Sequence, residues 1–254
     1  MKKAIYTLTL LSIAAIGAMF SSCEKSPTVW TPANGTVKMQ FTYVWGKNET
    51  PLALEQKVVQ EKTGDTLIFT NIRYYVSNIK LKRADGVWWS MPDSYFLLDA
   101  QSAEASTITI PDVPFMNYTA VQYTMGVDSL HNVSGAQTGA LSLQNGMFWD
   151  WNSGYIMMKA EGRSPNSPTG SFALHMGGFS GQYNVVTVNT AEFGKTVQIG
   201  NGANPTITMV TNPSDLWDNA PSVKVNSVIH MPGAYALAMA KGFYGGIYLS
   251  AVSK

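Results

Sequence analysis

One cysteine, three histidines and a charged fraction of 13% leave this 254-residue chain few of the groups on which protein chemistry usually depends. A lone Cys23 can close no internal disulfide. Seventeen Lys and Arg against 16 Asp and Glu give a formal net charge of +1. That balance provides no basic footprint for nucleic acid and no polybasic patch for anionic lipid. No GxSxG, HExxH, GxGxxG or Gly-rich phosphate loop occurs, and the carboxylates form no paired motif, so the chain reads as non-enzymatic. The one long apolar run, Ala4 to Phe20, is too short and too interrupted by Thr7, Thr9 and Ser12 to span a bilayer convincingly.

What that run does resemble is a secretory signal. Lys2 and Lys3 precede it, and "SSC" ending at Cys23 follows. Small residues before the sole cysteine match a bacterial lipobox, apart from Phe20 where leucine is usual. Residues 1–22 are therefore expected to be a cleaved signal peptide, and Cys23 a lipidated first residue. A lipidated Cys23 leaves no thiolate for a metal site. Polar residues with Pro27 and Pro32 make residues 23–36 a tether. This predicts an exported protein, lipid-anchored to the bacterial outer membrane on its periplasmic or surface side. Residues 37–254 are expected to form one domain, long enough to bury its own core.

Within that domain, short β-branched and aromatic segments recur between turn signals. "VKMQFTY", "DTLIFTNIRYYVSNIKL", "SYFLLD", "STITIP" and "YTAVQYTMGV" read as strands. So do "SGYIMMKAEG", "GSFALHM", "YNVVTVN", "KTVQIG", "PTITMV" and "GGIYLSAV". "ADG" at Ala84, "PDVP" at Pro111, "SPNSPTG" at Ser164 and "GNGANP" at Gly200 separate them. The pattern predicts an all-β, antiparallel β-sandwich with one or two short helices, one capped near Ser214 and one in "GAYALAMAKGF". Asp128 to Asn152 lacks strand character, and an aromatic-rich loop of that length tends to be functional.

The scarce residues stand out against this background. His175 and His230 are each followed directly by methionine, and imidazole with thioether favours copper where thiolate is missing. Alternation along a strand would still point Met176 and Met231 away from the faces of His175 and His230, so that neither binds the same metal as its neighbour. Each histidine is equally compatible with an ordinary hydrogen-bonded structural role. In "NGMFWDWNSGY", Trp149 and Trp151 share one face of an extended segment and would serve as a core wedge on composition alone.

Four segments together resemble the MbnP-like copper-binding family, relatives of the methanobactin-associated protein MbnP and of MopE. They are "RYYVSNIKL" (Arg73–Leu81), "GVDSLHNVSGAQTGAL" (Gly126–Leu141), "NGMFWDWNSGYIMMKAEG" (Asn145–Gly162) and "FALHMGG" (Phe172–Gly178). The resemblance implies a copper site, with Cu(I) as the ion, whose features fall on His131, His175, Trp149 and Trp151. It implies oxidation of Trp149 or Trp151 to kynurenine by a dihaem partner of the MauG and cytochrome c peroxidase type. It also implies a role in copper acquisition or buffering, with His131 and His175 close together and His230 dispensable. The cysteines of the methanobactin-associated members are missing here. The competing reading is an adhesion module that stacks glycans or peptides on exposed Trp88, Trp89, Trp149 or Trp151.

Overall fold

β-branched and aromatic alternation builds strands wherever one face can be buried, and among the described residues fourteen form. The computed structural model describes residues 33–150 and 152–253. The signal peptide, Cys23 and Trp151 therefore lie outside the described residues. In chain order come β1 (Gly35–Trp45), β2 (Thr50–Pro51), β3 (Lys57–Val59), β4 (Thr66–Arg83), β5 (Trp88–Ser90) and β6 (Tyr95–Asp99). Then follow β7 (Thr107–Val113), β8 (Met116–Met125), the short helix α1 (Ser129–Val133), β9 (Ile156–Arg163) and β10 (Ser171–Gly177). The chain ends with β11 (Thr187–Ile199), β12 (Thr206–Thr211), β13 (Val228–Ile229), α2 (Ala234–Gly245) and β14 (Ile247–Val252). None of the helices among the described residues is long and apolar enough to cross a membrane.

Two sheets result, as expected of an all-β sandwich. One runs β14-β12-β1-β2, with β7 also on β1. The other runs β11-β8-β4-β9-β10-β13, with β3, β5 and β6 on β4. Most pairings are antiparallel, but β1 lies parallel to β12 and β10 parallel to β13. Alternation buries Val37, Met39 and Phe41 of β1 against Leu67, Phe69, Ile72 and Tyr74 of β4. Ring contacts such as Phe41–Tyr74 (centroids 6.0 Å) and Trp45–Phe69 (5.5 Å) tie the layers together. The expected helices appear as a 3-10 turn, Pro213–Trp217, capped by Asn212, and as α2. Phe243 of α2 packs on Tyr74 at 5.1 Å.

The spine of the larger sheet is β4, 18 residues long. Tyr74 pairs with both β6 and β9, and Ser77 with both β6 and β8. It follows that β8 and β9 share one edge of β4 in tandem. Gly126 marks the junction: its N–H donates to the Tyr75 carbonyl at 2.9 Å, and its φ of +102° carries the chain off the sheet. A side chain there would also meet Met157 at 3.2 Å. From this split the chain passes into α1 and then two 3-10 turns, Gly139–Leu141 and Leu143–Asn145, so the expected loop is partly helical.

Candidate metal centre

The segment "GVDSLHN" folds as a stapled corner. Asp128 caps α1, its Oδ1 accepting from the His131 backbone N–H at 3.1 Å. The same carboxylate accepts from His131 Nδ1 (3.0 Å), from Asn78 Nδ2 (3.0 Å) and from the Tyr95 hydroxyl. Tyr95 Oη also sits 2.7 Å from Nδ1 and its ring stacks on the imidazole at 4.2 Å. Burial alone would raise the Asp128 pKa, but the bonds from Tyr95, Asn78 and His131 outweigh it and hold the carboxyl well below its usual range. Burial, reinforced by Asp128, pushes the Tyr95 phenol well above its own. With Nδ1 engaged, Nε2 of His131 is the nitrogen left for a ligand. Beside it, fully buried Asn132 donates to the carbonyls of Val127 (2.7 Å) and Asp128 (2.9 Å) and accepts from the Tyr155 N–H (2.9 Å).

His175 sits in a different part of the sheet. On β10 it is in register with Lys159 of β9, which pairs with Arg73 of β4. Its neighbours Leu174 and Met176 are fully buried, so alternation turns His175 to the other face, as expected. Nε2 lies 2.7 Å from Glu161 Oε1, which makes Nδ1 the bare nitrogen when Nε2 carries the proton. Burial lowers the His175 pKa, and Lys159 and His230 add to that, although the bond to Glu161 works the other way. Nearest to its ring is His230, edge-on with centroids 5.3 Å apart.

The two imidazoles have different partners, Asp128 and Tyr95 for His131 and Glu161 and His230 for His175. Tyr95, on which His131 stacks, pairs with Ser77, four residues along β4 from Arg73 and on its opposite edge. At strand spacings of roughly 3.3 and 4.8 Å, the Tyr95 and His175 backbones stand roughly 19 Å apart. One ion held by both imidazoles would need their nitrogens about 4 Å apart, extending zinc–nitrogen distances to copper. Among the described residues, no group of three or more His, Cys, Asp or Glu side chains could hold a metal ion. His230, expected to be dispensable, is the ring in contact with His175. The legible signal was the repeated "HM" at 175–176 and 230–231.

Trp149 lies in a ribbon formed by the bridge Phe148–Tyr155 and the bond from Trp149 N–H to the Gly154 carbonyl (3.1 Å). Phe148 stacks on Tyr155, and Tyr155 on Tyr75. Trp149 itself lies against β10, two residues along from His175. Its ring covers Gly177, where a Cβ would meet Cζ3 at 2.6 Å. Nε1 of Trp149 is buried with no hydrogen-bond partner among the described residues. Of the second aromatic cluster, Trp89 packs on the core and Trp88 carries the Lys82 ammonium 5.9 Å from its ring.

These motifs are the ones on which the family resemblance rested, and the comparison with known families decides the matter. Residues 34–231 match the MbnP family model, well over half the chain. The chain belongs to the MbnP family. MbnP from Methylosinus trichosporium is similar to it in structure, with a TM-score of 0.51 at 15% identity, covering 79% of this chain and 82% of that one. At that identity the likeness is one of fold. No curated protein matches the sequence.

Proposed function

We propose that this MbnP-family chain is an exported, lipid-anchored, non-enzymatic protein that binds copper for acquisition or buffering in the bacterial envelope. The observation that carries the reading is the back-bonding of two imidazoles by carboxylates, His131 by Asp128 and His175 by Glu161. Histidines that ligate metals commonly donate their second ring nitrogen in this way, which fixes the tautomer and sharpens the remaining donor. Imidazole in a chain without free thiolate suits copper. Lipidation at Cys23 would hold the domain at the outer membrane.

In this reading one tryptophan of "MFWDWNSGY", Trp149 or Trp151, is oxidised to kynurenine by a dihaem peroxidase-type partner. Two hydrogen peroxide molecules, reduced to water by that partner, supply the two oxygens that cleave the indole C2–C3 bond; one water then hydrolyses the formyl group, releasing C2 as formate and leaving an aniline nitrogen and a ketone. The buried, unpartnered Nε1 of Trp149 supports that residue, because an orphaned buried donor costs about 1–3 kcal/mol and calls for a reason. The adhesion reading finds no support in Trp88 or Trp89, which are engaged by Lys82 and the core.

The test is protein isolated from its native organism, analysed for copper content and by mass spectrometry of the peptide spanning residues 145–162. Bound copper together with one oxidised tryptophan is the expected result. Protein from that source with no copper and two intact tryptophans would end this reading.

A further inference from the structure

Parallel pairing between β10 and β13 aligns Ala173 with Val228 and Leu174 with Ile229. One step further along this register stand His175 and His230. Ile229 is buried while Val228 and His230 are exposed, so His230 points to the same face as His175. Same-face neighbours on adjacent strands bring their side chains together, and the rings are indeed in edge contact at 5.3 Å. Sequence and register thus converge on two imidazoles side by side at the edge of a sheet.

Their surroundings are those of a site with one fixed and one adjustable donor. Glu161 grips Nε2 of His175 at 2.7 Å, and Lys159, 4.0 Å from Glu161, is tied by its ammonium to the Gly146 carbonyl at 2.7 Å. His175 therefore offers Nδ1 from a braced ring. His230 lies just beyond the end of β13 and is exposed, so the ladder does not brace its ring. Met231, also past the strand end, is 69% exposed, so the alternation that removes Met176 from the face of His175 does not govern it.

We infer that His175 and His230, not His175 and His131, are the paired imidazole ligands of a copper ion, with Glu161 positioning His175. The inference rests on the copper reading above and replaces its second ligand. Two imidazole nitrogens from adjoining rings match the low coordination number that Cu(I) accepts, and an adjacent thioether is a soft donor of the kind that ion prefers. His131 is then a structural residue of the Asp128 corner.

The experiment uses the full chain purified in detergent, loaded with Cu(I), and compares it with H230A, H175A, E161Q and H131A. Metal content after competition with a chromophoric chelator gives the affinity. The imidazole Hε1 resonances, sharp because Cu(I) is diamagnetic, report which rings are ligated. Expected are shifts of the His175 and His230 signals with no shift at His131, and copper retention abolished in H230A and H175A. E161Q should weaken affinity by about 10–100-fold, the usual cost of losing a group that orients a ligand, while H131A binds as wild type does. Far-ultraviolet circular dichroism checks that each variant is folded, and exposed His230 is the substitution least able to disturb the fold. Copper retained in H230A but lost in H131A overturns the pairing and leaves the copper reading standing. Failure of the wild-type chain to retain any copper overturns both.

Discussion

Asn132 is the residue whose removal most directly tests how the corner at the sheet split is held. It is fully buried and spends three hydrogen bonds on backbone: two donated, to the Val127 and Asp128 carbonyls, and one accepted from the Tyr155 N–H. It thereby fastens α1 to the ribbon that carries Trp149. In Asn132→Ala each lost bond is worth about 1 kcal/mol net, and the Tyr155 N–H is left buried without a partner, for a total destabilisation of about 3–4 kcal/mol. Against a domain stability of about 5–15 kcal/mol this is a large fraction. Urea unfolding followed by tryptophan fluorescence measures the global change. Amide hydrogen exchange at Tyr155 gives the local one. The isosteric Asn132→Asp variant keeps the acceptor and loses the donors, so it should preserve Tyr155 protection while still losing stability. An alanine variant within about 0.5 kcal/mol of wild type, with Tyr155 still protected, would show that the staple is not what holds the ribbon.

Three further outcomes follow from the same geometry. In Gly177→Ala the added methyl would fall 2.6 Å from Trp149 Cζ3 and 2.8 Å from the Tyr155 carbonyl. The indole must move, at a cost of about 1–3 kcal/mol, and its emission should shift to the red. Trp149→Phe removes an unpartnered buried N–H while keeping an aromatic ring, so its midpoint in urea should move far less than that of Trp149→Ala, for which about 3–5 kcal/mol is expected. Because the Asp128 carboxyl is held below its ordinary range in the folded chain, it binds fewer protons folded than unfolded. Its contribution is present above about pH 4, the unfolded value, and is lost as the pH falls through the folded one. Acid titration of Asp128→Asn should show a shallower loss of stability below about pH 4 than wild type; an unchanged slope would contradict the assignment.

The strands were legible because burial on one face writes alternation into the sequence: "VKMQFTY" became most of β1, "STITIP" became β7, and "GSFALHM" became β10. The parallel pairings were not. β1 and β12 meet across some 170 residues, with Lys38 beside Thr206, and nothing local in either strand encodes its partner. The five residues of α1 are too few to show a helical period; its trace in the sequence is Asp128 as cap with His131 three residues on. β5, which holds Trp88 and Trp89, was passed over because three residues cannot display alternation.

The candidate site shows the same limit more sharply. Family resemblance pointed to His131 and His175, two residues whose motifs are conspicuous in the chain but whose rings bond to different partners. "GVDSLHN" is conspicuous for a reason of its own: Asp128, His131 and Asn132 are all consumed in turning the chain off β8 and anchoring it to Tyr155. His230 carries no such motif beyond the "HM" it shares with His175. Its place depends on a two-residue parallel strand that no periodicity could reveal. Yet the rule that separates His175 from Met176, that neighbours along a strand face opposite ways, is the one that joins His175 to His230 once the register of β13 is known. Alternation was read correctly at His175 and Met176. What it lacked was the partner across the ladder, and at this edge the partner is another imidazole.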